Sequence, residues 1–302
     1  SFLVRNILSR FANALNLKKN NGYMQLKPHS TLQDGKYEII RVLGQGGFGI
    51  TYLAEQTLVD RKVCIKEFFI KEYCERNEAT SQVSLGTTSN AEMMRQYMAK
   101  FIKEARTIAK LDHPNIVKIF DVFKENNTAY IVMEYLDGRS LGEHIKQYGP
   151  LDEGKAVSYI YMVGSALSYA HSQHVMHLDV KPSNIMYDKA KDRPVLIDFG
   201  LAKQYTEGGE QTSSTPVGIS QGYAPMEQYK AGGVKEFSPA TDVYSLGATL
   251  YALVSGDTPP AASDVGEDGV PKIAGLSEGV MHAIESAMQP RRKDRPQSVA
   301  EF

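Results

Sequence analysis

Between Val175 and Met186 the chain crowds Asp179, Lys181, Ser183 and Asn184 into one short polar stretch flanked by apolar residues. An aspartate can orient a hydroxyl and take its proton. A lysine can neutralise a phosphate, and an asparagine oxygen can hold a cation. Farther on, Val195-Leu196-Ile197 ends in Asp198, followed by Phe199 and Gly200. A carboxylate closing an apolar strand suits Mg²⁺, a hard ion that takes oxygen ligands. Upstream lies Gly44-Gln45-Gly46-Gly47-Phe48-Gly49. Glycines let backbone amides approach a phosphate with no side chain in the way. Lys66 sits in Lys62-Val63-Cys64-Ile65-Lys66-Glu67-Phe68, where an ammonium among apolar neighbours calls for an anion or a paired acid. Glu104, beside Phe101, Ala105 and Ile108, is either that partner or a solvated helical glutamate. Taken singly these are weak signals, since glycine repeats mostly mark turns. Together and in order they make one coherent set for a hydroxyl, a phosphate and a cation.

The elements that must position these groups are readable in outline. Tyr37–Leu43, Ile50–Ala54, Lys62–Phe68, Ile116–Phe123 and Thr128–Glu134 read as strands. A strand, not a helix, follows the glycines, which excludes the dinucleotide-binding version of the glycine motif. Glu92–Leu111 reads as a helix with Met94, Met98, Ile102 and Ala105 on one face. After Asp137-Gly138 the chain turns helical, most clearly at 156–172, 238–255 and 278–288. A β-rich first third followed by a helical remainder is an α+β, two-lobed plan. Residues 75–91, rich in Ser, Thr and Asn, read as a surface insertion, and residues 20–36 as a linker and turn.

Composition narrows the function classes. The 302 residues carry 34 Lys+Arg against 35 Asp+Glu, a net charge of -1, which argues against a nucleic-acid binder. Two cysteines, Cys64 and Cys74, make no disulfide framework and no metal motif, and are expected as reduced thiols. No apolar run is long enough to span a bilayer, and the start lacks a secretory signal. A cytoplasmic location is expected, with membrane association open through segments outside this stretch. Residues 1–20 carry Arg5, Arg10, Lys18 and Lys19 and no acid, with apolar residues at helical spacing. This basic amphipathic helix fits docking on a membrane or partner. Packing on its own domain is the favoured reading.

The chain resembles the protein kinase family, most closely the serine/threonine kinases, over about residues 36–302. The resemblance implies a bilobal kinase fold: a small β-rich N-lobe with one regulatory helix and a larger, mainly helical C-lobe. The expected domains are an N-terminal extension (1–35), an N-lobe (36–136, with an insertion at about 70–92) and a C-lobe (137–302) that stops inside its last helix. Leu43, Gly44, Gln45, Gly46, Gly47, Phe48, Gly49, Thr51, Cys64 and Met186 correspond to nucleotide-binding positions. Lys66 corresponds to the ATP-contacting lysine, Glu104 to its partner, and Met133, Glu134, Tyr135 and Leu136 to the gatekeeper and hinge. Asp179 corresponds to the catalytic aspartate, Lys181 to the lysine that steadies the γ-phosphoryl, and Asn184 and Asp198 to the metal ligands. Asp242 matches the aspartate that braces the catalytic loop, and Arg295 the arginine that pairs with Glu227. Ile108, Ile119, His177 and Phe199 match an internal spine.

The resemblance therefore implies an ATP-dependent kinase using Mg²⁺, or Mn²⁺ in its place. Its partners would be protein substrates and not nucleic acid; oligomeric state is left open. Ser220 or Thr215 is expected to orient Asp179 and Lys181. Thr206, Thr212, Ser213, Ser214 and Thr215 are candidate autophosphorylation sites. The run Gly222-Tyr223-Ala224-Pro225-Met226-Glu227-Gln228 resembles that of bacterial members. Two departures stand out. Leu178 replaces the arginine that grips a phosphorylated activation loop, and the span from Lys66 to Glu104 is about twice the usual length. The rival readings are a pseudokinase scaffold and a small-molecule kinase. The filled catalytic positions disfavour the first, and an activation segment braced at Glu227 disfavours the second.

Overall fold

The computed structural model describes residues 24–46, 49–84, 88–199, 203–204, 219–230 and 234–302. The expected N-terminal helix, Gly47, Phe48, Gly200 and the candidate autophosphorylation residues lie outside them. The chain divides into two units. One holds the residues up to Ala105 together with Ile119–Tyr135; the other holds Arg106–Lys118 and Leu136–Phe302.

The first unit is a six-stranded antiparallel sheet backed by one helix. Its strands are β1 (Thr31–Leu32), β2 (Tyr37–Gly46), β3 (Gly49–Gln56), β4 (Arg61–Phe68), β7 (Ile119–Glu125) and β8 (Thr128–Glu134), in the order β1-β2-β3-β4-β8-β7. Between β4 and β7 come a two-strand hairpin, β5 (Glu75–Arg76) with β6 (Val83–Ser84), and helix α1 (Thr88–Ile108). Met94, Met98 and Ile102 of α1 are buried in the sheet's core with Tyr52, Ile65 and Val132. The core reaches back to Leu26 and Leu32, so residues read as linker are packed structure. The turn after β1 runs through Gln33, Asp34 and Gly35 at positive φ, returning the chain onto Tyr37.

The expected strand at Ile116 begins three residues later. Ile116 belongs to the second unit and there bridges Leu196, and the Val117 N–H donates to the Leu196 carbonyl at 3.0 Å. Both side chains are buried there, so apolar burial outweighs the strand pattern. The inserted segment also differs from the surface loop expected. Cys74 and Val83 are buried, and Arg76 reaches the back of the sheet.

The second unit is mainly helical. Its helices are α2 (Leu141–Tyr148), α3 (Glu153–Ser172), α4 (Pro239–Ser255), α5 (Ala262–Asp268) and α6 (Glu278–Ala287). Short strands β9 (Val175–Met176), β10 (Ile185–Asp188), β11 (Arg193–Leu196) and β12 (Lys203–Gln204) form two small pairs, β10 with β11 and β9 with β12. Caps set the helix starts. Ser140 and Glu143 make a capping box on α2, and Asp152 caps α3 by accepting from the Lys155 N–H at 3.0 Å. Helix α4 is buried along nearly its whole length, and four of its inward groups are polar: Thr241, Asp242, Ser245 and Thr249. Buried polar groups need partners, and Asp242 finds its own in the loop around Asp179.

Candidate active site

In the second unit Asp242 organises the loop around Asp179. Its buried carboxylate accepts from the His177 N–H (2.9 Å), the Leu178 N–H (2.8 Å) and the His171 ring (2.8 Å). Desolvation opposes its charge, but these donors outweigh burial and hold it below the usual carboxylate range. Leu178 itself sits at φ +65°, a conformation that branched L-residues rarely adopt. It is pinned there through its N–H by Asp242 and through its carbonyl by the Gln228 amide at 2.8 Å. Its side chain is buried with Met176 and Val234, where the familiar arginine would stand.

The loop then presents its chemistry. The Ser220 hydroxyl donates to Asp179 Oδ1 at 2.6 Å and accepts from Lys181 Nζ at 2.7 Å. Lys181 also lies 2.9 Å from Asp179 Oδ2. Asn184 donates through Nδ2 to the Asp179 carbonyl (2.8 Å) and to Oδ2 (2.9 Å). Those two donations fix the amide's orientation and aim its oxygen elsewhere. The Ile197 N–H donates to the Asn184 carbonyl at 2.9 Å, which brings Asp198 to the same end of the β10–β11 hairpin as Asn184. Asp198 is exposed and at φ +53°. Of the two expected positioning residues Ser220 makes the contacts; Thr215 lies outside the described residues. Met186 is half-buried on β10, bridging Ser140.

An amide oxygen and a carboxylate form a donor set that fits Mg²⁺, which uses one or two protein oxygens and takes the rest from phosphate and water. Among the described residues there is no cluster of three or more His, Cys, Asp or Glu arranged for a metal, so a dedicated all-protein cage is not found there.

His177 links the loop to Asp198. Its Nδ1 accepts from the Asp179 N–H (3.2 Å), its Nε2 faces the Ile197 carbonyl (3.2 Å), and its ring packs against Phe199 with centroids 4.4 Å apart. One nitrogen accepts and the other donates, so the ring is neutral with its proton on Nε2. Complete burial lowers its pKa from 6.5. The unfolded chain takes up a proton near pH 6.5 that the folded ring refuses, so stability falls as the pH drops below that value. The Asp242 contribution has the same sign but is lost only below pH 3.8. Between those values His177 should add a loss of at most about 1.4 kcal/mol per pH unit. Burial also lowers His113 and His144, a background that a variant subtracts. Urea midpoints measured from pH 7.5 to 5 should fall less steeply in His177→Phe than in the parent. Equal slopes would refute this role.

The first unit carries the other residues singled out by the sequence. Gly44 pairs with Thr51 and Gly46 with Gly49 where β2 turns into β3. A Cβ at Gly49 would collide with the Glu67 carbonyl, so packing demands glycine there. At Gly44 and Gly46 a Cβ would meet nothing, and the open backbone beside them is what a phosphate would need. Leu43 and Gln45 are exposed on the same strand, and Gln45 accepts from Gln25 at 3.2 Å. On β4, Lys66 stands opposite Thr51 and Ile131, and Cys64 opposite Leu53 and Met133. Burial pushes the Cys64 thiol up to about 11, so it stays uncharged near neutral pH. Glu104 is half-buried on α1. Pairing with β4 ends at Glu134, so Tyr135 and Leu136 come after the ladder stops.

One feature behind Lys66 had no sequence signal. The next residue, Glu67, points to the opposite face and is completely buried. It accepts from Tyr52 (2.7 Å), Tyr130 (2.9 Å) and Arg76 (2.6 Å). Arg76 also donates to the Met24 and Ser81 carbonyls at 2.9 and 2.7 Å, tying the inserted hairpin and the segment before β1 to the strand that carries Lys66.

At the far end of the second unit Arg295, 3% exposed, makes a bidentate pair with Glu227 at 2.7 and 3.1 Å. It also donates to the carbonyls of Gln289, Pro290 and Ala240.

Comparison with known proteins bears on the family and the fold. Residues 37–302 match the protein kinase domain family. The chain is 35% identical over 225 residues to serine/threonine-protein kinase PrkC of Bacillus subtilis, covering 74% of this chain and 31% of that protein. It is 33% identical over 238 residues to serine/threonine-protein kinase PknD of Mycobacterium tuberculosis, covering 79% and 32%. It thus spans about a third of the length of these relatives. The solved structure of the apo form of PpkA-294 superposes with a TM-score of 0.78 at 28% identity, covering 92% of this chain and 97% of that one. Among the described residues no helix is long and apolar enough to cross a membrane. With a β-rich and a helical unit, and with Asp242 bracing the loop at His177 and Leu178, the chain belongs to the protein kinase domain family, in its eukaryotic-like serine/threonine branch.

Proposed function

We propose that this domain transfers the γ-phosphoryl group of ATP, with Mg²⁺, to serine and threonine hydroxyls of protein substrates, and to its own. The observation that carries this reading is the hydrogen-bonded set Asp179, Lys181, Asn184 and Ser220, built on a buried aspartate. Asp179 accepts the substrate hydroxyl proton as the hydroxyl oxygen bonds to the γ-phosphorus; the β–γ bridging bond breaks and ADP leaves. Lys181 steadies the transferring group. Asn184 and Asp198 would hold the divalent ion, which when bound would neutralise phosphate charge. Lys66, supported by Glu104, takes the α- and β-phosphates. Leu43, Gly44, Gln45, Gly46, Gly47, Phe48 and Gly49, together with Thr51, Cys64, Met186 and residues 133–136, contact the nucleotide. The cytoplasm, which supplies ATP and keeps thiols reduced, is the compartment this reading implies.

Leu178 extends the reading. A buried leucine cannot pair with a phosphate, so activity is not expected to require a phosphorylated activation segment. The test is ATP turnover by protein co-expressed with a phosphatase and verified as unphosphorylated, with phosphoamino-acid analysis of a generic protein substrate. Phosphoserine and phosphothreonine should appear without a lag. Activity that emerges only after phosphorylation would remove the Leu178 argument alone. Failure of every preparation to transfer phosphate would leave the scaffold reading in its place.

A further inference from the structure

We propose that a cavity of about 710 Å³ in the second unit docks an acidic segment of the protein substrate. Its volume is in the range of built ligand clefts. Met226, 43% exposed, with Val234 and Pro290 gives it apolar walls. Five cations also line it: Lys230, Lys235, Arg291, Arg292 and Lys293. Their charge is only partly matched. Arg291 pairs with Asp294 at 2.7 Å, and Arg292 reaches Glu236 at 3.4 Å. The lining Glu227 is taken by the buried Arg295. Among the described residues no ion pair involves Lys230, Lys235 or Lys293. The chain's net charge is -1, so this excess is a local arrangement and not the overflow of a basic protein.

An extended peptide fits this chemistry better than a polyanion. Apolar walls reward an inserted side chain, while surrounding ammonium groups reward carboxylates on either side of it. A nucleic acid or an anionic membrane needs charge spread over an open face and would meet a chain that is slightly acidic overall. The cavity is also built on residues 222–228, the run that resembles the end of an activation segment. Its two short 3₁₀ turns, Met226–Gln228 and Arg292–Asp294, are clamped together by the Glu227–Arg295 pair. The partner's identity as a substrate rests on the kinase reading above; binding itself does not.

The experiment uses a fluorescent peptide of four glutamates around one leucine, its scrambled lysine counterpart, and the double variant Lys235→Glu/Lys293→Glu. Anisotropy should show binding of the acidic peptide alone, weakening as salt is raised and at least about tenfold weaker in the variant. Asp179→Asn protein should bind like the parent. A substrate peptide carrying the acidic tail should show a KM about tenfold below its untailed form in the parent and no such gain in the variant, at unchanged kcat. Equal binding by parent and variant, or no salt dependence, overturns the proposal. So does tighter binding of an oligonucleotide or of phosphatidylserine vesicles, or a self-association that the double variant abolishes. Transfer with no advantage from the tail sinks the docking site and spares the kinase reading. Tail binding without any transfer does the reverse.

Discussion

Asp179→Asn should lower kcat by about 10²–10⁴-fold while leaving the KM for ATP and the melting temperature nearly unchanged. The magnitude is that of losing a positioned general base. The selectivity follows from the contacts. Asparagine keeps one oxygen to accept from Ser220 at the position now 2.6 Å away, so the loop stays in place. The amide has no charge to offer Lys181, now 2.9 Å from the carboxylate, and little basicity toward a hydroxyl proton. Steady-state kinetics beside a thermal melt checks both halves. Near-normal turnover would remove Asp179 from the chemistry. A collapsed melt would show that the residue is a scaffold piece and that Asp242 does not hold the loop alone. The proton must leave the hydroxyl as the new bond forms, and the Asp179 carboxylate is clamped by Asn184, Lys181 and Ser220 together.

Removing Arg76 should be the most damaging single change to the first unit. Arg76→Ala is expected to destabilise by about 3–5 kcal/mol, the usual loss when one member of a buried ion pair disappears. At roughly 2–4 °C per kcal/mol, the melting temperature should drop by about 10 °C. The side chains of Arg76 and Glu67 are 3% and 0% exposed, so the stranded carboxylate could not turn to water. Desolvation works against the guanidinium charge, yet Glu67 outweighs it and holds the Arg76 pKa above its usual value. Burial and the nearby Glu67 charge likewise raise Tyr52 and Tyr130, which remain hydroxyl donors to the carboxylate. The double change Glu67→Leu/Arg76→Met should recover part of the loss, because no unpaired charge remains and apolar replacement of a buried pair is tolerated. Denaturant titration of the single and double variants tests this. A loss below about 1 kcal/mol for Arg76→Ala, within the range of surface pairs, would show that the inserted hairpin rides on the sheet without bracing it.

Much of this was legible in the residues. Asp179, Lys181 and Asn184, crowded together along the chain, also share one hydrogen-bonded cluster, because so short a loop leaves its polar groups few other partners. Strands β2, β3, β4 and β8 and helices α1, α3, α4 and α6 announce themselves because a half-buried element must repeat its apolar residues at the period of its backbone. Leu178 likewise shows by its type alone that it cannot grip a phosphate.

Other features belong to the tertiary structure. Glu67 looks like an ordinary strand glutamate and Arg76 like a loop arginine, and nothing in their spacing predicts a buried pair. Their pairing depends on where an inserted hairpin folds back, a non-local event that leaves no periodic trace. Ile116 reads as strand but is drawn to Leu196 because burial there decides its partner. Leu26 and Leu32 sit in a stretch punctuated by turn residues, yet they close the core beneath the sheet. Ser220 meets Asp179 because the chain's path, not its composition, brings that oxygen within 2.6 Å. Local order along the chain encodes chemical type and backbone period; which distant groups share a desolvated space is settled only when the whole chain has packed.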